Sequence, residues 1–184
     1  MKIDEVILVD ENDQECGTME KLKAHEFGVR HRAFSIFIFN DNNEVLLQKR
    51  ASDKYHSGGL WTNTCCSHPR PNESLEHATQ RRLQEEMGFT TSLVALFNIS
   101  YTLALDHGLV ENEFDHVFAG TYTGAYFPNP AEASATKWMN FDALIHDCKT
   151  NPQHYTSWLL LILEQQAVHF QPFLLHENHS DRTI

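Results

Sequence analysis

Apolar residues along the chain come in short runs broken by Asn, Asp and Gly, the rhythm of strands joined by tight turns. Val6 to Val9 is one such run, turned at Asn12-Asp13 and returning through Gly17-Thr18. Ala33 to Asn40 reads AFSIFIFN, strand-like in length and rich in Phe and Ile. Asp41-Asn42-Asn43 makes a turn and Glu44 to Lys49 the return strand, so these two predict a hairpin. Leu93 to Thr102 and Phe114 to Thr123 predict two more strands, and Thr136 to Asn140 a last one.

Helical spacing marks a second set of elements. Between Asn72 and Gly88, the residues Leu75, Ala78, Leu83 and Met87 recur at roughly helical intervals. Asn72 suits the N-cap, Glu73 and Glu76 the positive end of the helix dipole, and Gly88 the stop. Phe141 to Cys148 and Tyr155 to Gln166 predict two further helices. From Ala167 the tail mixes Phe, Pro and His without a period, so either an ordered extension or a frayed end is expected. The whole predicts an α+β fold: one domain over 1–165 and an extension over 166–184.

Composition narrows the classes. Fourteen Lys and Arg against 25 Asp and Glu leave a net charge of −11, which argues against nucleic acid or an anionic membrane as partner. An anionic substrate then needs a local cluster of cations. Cys16, Cys65, Cys66 and Cys148 show no disulfide framework, and the N-terminal apolar run is too short for a signal peptide, so a cytoplasmic protein is expected. The longest apolar run, Trp158 to Leu163, is far too short to span a bilayer. A monomer or weak homodimer is expected.

The chemistry concentrates between Trp61 and Gly88, WTNTCCSHPRPNESLEHATQRRLQEEMG. Ser67, Glu73, Arg81, Arg82, Leu83, Glu85, Glu86, Gly88 and Phe89 resemble the Nudix box with every interval kept. Two positions depart from it. Ser67 replaces the opening glycine, and Arg82 replaces a glutamate that helps hold Mg²⁺ in Nudix hydrolases. An arginine there removes an oxygen ligand, disfavours a multi-metal hydrolytic site, and can grip a phosphate bidentately. Elsewhere His25, His31 and His68, with Glu111 and Glu113, offer imidazoles and carboxylates. Glu111 and Glu113, two apart at a strand start, point to one side. Such a mixed set suits Mn²⁺, Fe²⁺ or Zn²⁺ better than Mg²⁺.

Across nearly all of 1–165 the chain resembles the type 1 isopentenyl-diphosphate isomerases, which carry arginine where Arg82 stands. The matching pieces include His25, Arg30 to Ser35, Leu46 to Arg50, Trp61 to Pro69, Arg81 to Gly88 and Val110 to Glu113. The resemblance implies a Nudix-like mixed sheet flanked by helices, and a reversible 1,3-allylic proton shift between isopentenyl and dimethylallyl diphosphate. It implies Cys66 and Glu113 as the acid and base, Tyr101 as a proton-relay partner of Glu113, and Trp158 as a ring laid over the carbocation. Lys21, Arg50, Lys54 and Arg82 would hold the diphosphate, with Glu86 on a bridging Mg²⁺. One Mn²⁺, Mg²⁺ or Zn²⁺ would sit at the His/Glu site. Each residue also has a plainer role open to it: Cys66, Tyr101 and Trp158 as packing, Arg82 and Glu86 as a solvated i,i+4 pair. A Nudix hydrolase of a nucleoside diphosphate derivative and a non-catalytic metal-binding module remain as alternatives. If the loop from Asn63 to His68 is extended, Cys66 shares a side with His68 while Cys65 faces the core.

Overall fold

The strand richest in Phe and Ile lies at the middle of the sheet, because only a strand covered on both faces hides so continuous an apolar run. The computed structural model describes residues 4–174. In chain order the strands are β1 (Glu5–Val9), β2 (Glu15–Glu20), β3 (His31–Phe39), β4 (Glu44–Arg50), β5 (Trp61–Thr62), β6 (Cys65–Ser67), β7 (Leu93–Ala104), β8 (Val110–Thr121) and β9 (Ala133–Asn140). The helices are α1 (Lys21–Phe27), α2 (Leu75–Met87), α3 (Phe141–Thr150) and α4 (Ser157–Gln166). All nine strands join one mixed sheet. β3 runs antiparallel to β1 and β6 and parallel to β8, with His31 opposite Glu113 and Phe39 opposite Thr121.

Alternation along β3 divides the core. Phe37 and Phe39 point to the face covered by α3 and α4, where Phe141, Leu144, Leu159 and Ile162 are buried. Phe34, Ile36 and Ile38 point to the face covered by α2, against Ala78, Leu83 and Met87. The α+β expectation holds, and the inward face of α2 is the one its spacing predicted.

Four local readings need correction. The β3–β4 hairpin pairs at one position, Phe39 with Val45; beyond it β3 is taken up by β6 and β8, and β4 by β5 and β9. Asn72 is not the N-cap. It sits in a turn at φ +64°, and the Ser74 hydroxyl caps α2 by accepting from the His77 N–H at 3.2 Å. Glu73, outside the helix, instead grips the Arg81 guanidinium at 2.6 and 2.8 Å. The helix α1 has no counterpart among the predicted elements. At seven residues it is too short to show a period, and Gly28 ends it at φ +61°.

Residues 167–173 form a 3₁₀ segment, and Phe170 packs against Phe37, Phe39 and Phe141. The rest of the expected extension, 175–184, lies outside the described residues. Because Phe170 is fully buried, Phe170→Ala is expected to cost about 3–5 kcal/mol in equilibrium denaturation. A loss below about 1 kcal/mol, the range of surface substitutions, would remove this segment from the core.

Candidate active site

The register between β3 and β8 brings together residues far apart in the chain. His31 opens β3 directly opposite Glu113. The short strand β6 pairs on the other side of β3 and carries Cys66 and, just beyond it, His68. His25 comes from α1. His31 Nε2 lies 3.5 Å and His68 Nε2 2.8 Å from Glu113 Oε1. Donor atoms of His25, His31, His68 and Glu113 all fall within 4.8 Å of one another. The donor atom of Glu111 groups instead with those of His25 and His56.

Backbone carbonyls set the rings. His25 Nδ1 is 2.7 Å from the Lys21 carbonyl and His31 Nδ1 2.8 Å from that of Val29, so each ring turns its Nε2 inward. Both Nε2 atoms are buried without a partner. Buried imidazole nitrogens are rarely left so, and three nitrogens converging with one carboxylate fit a divalent ion of the Mn²⁺, Fe²⁺ or Zn²⁺ kind.

In front of this cluster opens a cleft of about 590 Å³. Lys21, Arg50, Lys54, Cys66, His68, Arg82, Glu86, Tyr101, Glu111, Glu113 and Trp158 line it. Of the predicted site residues, His25 and His31 stand behind its wall, fully buried.

The TNTCCSHP run explains itself here. Thr64 ties β3 to β4, its hydroxyl accepting from Ile38 N and donating to Leu46 O. Asn63 spends both amide hydrogens on Ile36 O and Cys65 O, so its oxygen is left facing Cys66 and accepts the thiol hydrogen at 2.9 Å. The Trp158 indole N–H donates to Cys66 Sγ at 3.2 Å. Cys65, one residue earlier, is fully buried in the core, as the alternation of an extended segment requires. Burial pushes the Cys66 thiol up to about 12, so it is held neutral.

Facing it, the Tyr101 hydroxyl donates to Glu113 Oε2 at 2.5 Å. Burial works to raise Glu113, but His31 beside it prevails and holds the carboxylate below its ordinary range. Burial and the charge of Glu113 both push Tyr101 upward, keeping it a donor.

At the cleft's other end Arg82 and Glu86 are not a solvated pair, because Glu86 is only 3% exposed. Arg82 donates to Glu86, to Glu85 at 2.8 Å and to Glu132 at 3.2 Å, while Lys54 pairs with Glu132. Gln48 donates to Glu86 Oε2 at 2.9 Å. The Arg50 guanidinium lies 5.2 Å from the centre of the Trp158 ring.

Sequence reasoning passed over Asp115, Ser35, Glu132, Gln48 and His56. Asp115 had a signal. Glu111, Glu113 and Asp115 alternate, so acids at every second position of one strand share its buried side. Ser35 Oγ lies 2.8 Å from Asp115 Oδ2 and 3.7 Å from Cys66 Sγ, so these two stand between the facing groups. Glu132 is in a loop and had none.

Residues 29–159 match the family model described as NUDIX domain. "Isopentenyl-diphosphate Delta-isomerase 1" of Aromatoleum aromaticum is 53% identical over 156 residues, 85% of this chain and 88% of the relative. "Isopentenyl-diphosphate Delta-isomerase" of Pectobacterium atrosepticum is 44% identical over 173 residues, 94% of this chain and 97% of the relative. Among solved structures, a Deinococcus radiodurans protein superposes with a TM-score of 0.73 at 18% identity, over 87% of this chain and 97% of that one. The MutT protein of Methanosarcina mazei gives 0.61 at 18%, over 73% and 91%. These two likenesses concern the fold.

Two outcomes follow from the geometry. Elemental analysis of dialysed protein is expected to find about one divalent ion per chain, and much less in His68→Ala, since three nitrogens and a carboxylate form a closed donor set. Equal metal content in both would refute the four-donor site. The second concerns the thiol. A raised value keeps Cys66 protonated and inert at about pH 8, where a free cysteine is already partly thiolate. Alkylation followed by mass spectrometry should therefore label exposed Cys16 long before Cys66, with Cys66 reacting only as pH approaches 12. Labelling of Cys66 as fast as Cys16 would contradict this.

Proposed function

We infer the reaction from a plain premise: this chain belongs to the NUDIX-domain family and, within it, to the isopentenyl-diphosphate Delta-isomerases. It interconverts isopentenyl and dimethylallyl diphosphate. The observation that carries the reading is the placing in one cleft of a neutral, half-buried thiol and a tyrosine-bonded carboxylate, beside an indole ring.

The chemistry needs that arrangement. A proton added to the terminal methylene uses the π electrons and leaves a tertiary cation at C3. Loss of a proton from C2 then returns its electron pair as the new double bond. Acid and base must therefore face opposite sides of a small hydrocarbon. In our reading Cys66 is one of these groups and Glu113, steadied by Tyr101, is the other. Trp158 holds the thiol by its N–H and presents its ring to the cation, an attraction of about 2 kcal/mol when desolvated. Asn63 and Trp158 together leave Cys66 no freedom to turn away. An ion held by His25, His31, His68 and Glu113, with Glu111 alongside, would supply positive charge that fixes the Glu113 carboxylate and tunes its basicity.

Lys21, Arg50, Lys54 and Arg82 take the diphosphate, and Glu86 would share a Mg²⁺ with its oxygens. Two of those cations are already engaged by Glu132, so the diphosphate competes with a resident carboxylate. Arg82 stands where a hydrolase would place a metal-binding glutamate, and release of phosphate with Mg²⁺ is not expected.

With metal-replete protein in heavy water, isopentenyl diphosphate should take up deuterium and yield the dimethylallyl isomer. Absence of both would sink the isomerase reading. Cys66→Ala is expected to lose several orders of magnitude in turnover with little change in melting temperature. Cys65→Ser should stay active but lose about 1–3 kcal/mol, because its buried hydroxyl has no assured partner. The opposite pattern in rate assays and thermal melts would exchange the roles of the two cysteines.

A further inference from the structure

We propose that Thr62 and Thr156 are positioning residues for the Cys66 thiol, acting on it through Asn63. The Asn63 side chain is fully buried, and its two donors and two lone pairs are all taken. Both amide hydrogens go to backbone carbonyls, that of Ile36 at 3.1 Å and that of Cys65 at 3.0 Å. Two acceptors on that side fix which end of the amide carries the nitrogen. The oxygen then takes one hydrogen from Thr62 Oγ1 at 3.0 Å and one from Cys66 Sγ at 2.9 Å. With one lone pair occupied by Thr62, a single direction is left for the thiol hydrogen.

Each hydrogen further back is ordered in the same way. An amide oxygen only accepts, so the one hydroxyl hydrogen of Thr62 is committed to Asn63. Thr62 must therefore accept from Thr156, whose Oγ1 lies 3.0 Å away. Cys66 Sγ is 4.0 Å from Thr62 Oγ1 against 2.9 Å from Asn63, so the amide oxygen is its acceptor. Thr62, Asn63 and Thr156 are at most 1% exposed, and solvent has no access to these links.

Thr156 carries an independent sign of this role. It is the N-cap residue of α4, in extended backbone, where a threonine hydroxyl ordinarily accepts from an N–H of the first turn. It makes no such bond, and α4 forgoes the stabilisation of a side-chain cap. The hydroxyl is turned to Thr62 instead. The same end of α4 carries Trp158, whose indole N–H donates to Cys66 Sγ at 3.2 Å. That end is docked on β5 by the Thr156 N–H, which donates to the Trp61 carbonyl at 3.0 Å. One helix end thus holds the thiol twice, directly by Trp158 and from Thr156 through Thr62 and Asn63.

The consequence for rate rests on the isomerase reading, whereas the aim of the thiol rests on the bonds alone, so the two are measured apart. Aim is read from the infrared S–H stretching band of Cys66 in full-length protein without substrate, identified by its loss in Cys66→Ala. A narrow band is expected in wild type and Thr62→Ser. It should broaden or split in Thr62→Val and Thr156→Val, which keep the branched shape without the hydroxyl. A band equally narrow in the valine variants would overturn the positioning role, whatever their activity. In the isomerisation assay the valine variants, checked by circular dichroism, should lose about tenfold in kcat, the worth of one hydrogen bond. KM should hold, because the diphosphate is taken at the other end of the cleft. Thr62→Ser and Thr156→Ser should restore most of the rate. Serine variants as slow as the valines, valines as fast as wild type, or a change in KM alone would overturn the proposal. Either site decides, and Thr156→Ala serves if a valine is not accommodated. A wild type with the narrow band and no turnover would sink the isomerase reading and leave the thiol's aim standing.

Discussion

Parallel pairing of β3 with β8 sets His31 opposite Glu113, and antiparallel pairing on the other edge of β3 sets Cys66 opposite Ser35. One strand thus aligns both candidate groups, at points four residues apart in its register. A slip by one residue would turn every side chain of a partner strand to the opposite face. Such a slip would bury Cys65 in the cleft's place and send Glu113 away from His31. The apolar run of β3 prevents it, because Phe34, Ile36 and Ile38 fit under α2 while Phe37 and Phe39 fit under α3 and α4. Core packing and the geometry of the candidate site are therefore the same constraint.

The cost of that arrangement is charge placed out of water. Glu86, Glu111, Glu113 and Asp115 are all nearly or fully buried. Carboxylates so placed persist only when paired or hydrogen-bonded. Glu86 has Arg82 and Gln48, and Glu113 has Tyr101 and three histidines near it. Asp115 meets the constraint another way: burial and the neighbouring Glu113 charge raise it well above the usual carboxylate range, which favours its neutral form. Against the net charge of −11, Lys21, Arg50, Lys54 and Arg82 all line the one cleft, a local concentration of positive charge in an acidic protein.

What could be read from the sequence were the features enforced locally. The box intervals run along one helix, Gly88 must adopt a positive φ, and Cys65 and Cys66 alternate because their strand is extended. Features depending on long-range choices were hidden. The apolar pattern of β3 and β4 does not reveal that they part after one pair, since that depends on β6 and β8 arriving between and beside them. Ser74 and Asn72 are equally good caps by type, and only the turn at Asn72 decides between them. Glu132 and His56 sit in loops, where no period marks a buried side chain.

Opposing protonation demands meet within a few ångströms in this cleft. In the proposed reaction Cys66 must remain a thiol, which calls for a dry site without cations close to the sulfur. Glu113 must remain a carboxylate, which calls for positive charge or donors. Ser35 and Asp115 lie between the two: Ser35 donates to Asp115 Oδ2 at 2.8 Å, and burial with the Glu113 charge pushes the Asp115 carboxyl toward its neutral form. Placing an ionised acid at Asp115 would force Cys66 higher still and repel Glu113, while placing a cation there would ionise the thiol. In the proposed reaction a hydrogen-bonded pair of little charge between them would let one small cavity hold an acid and a base without each cancelling the other.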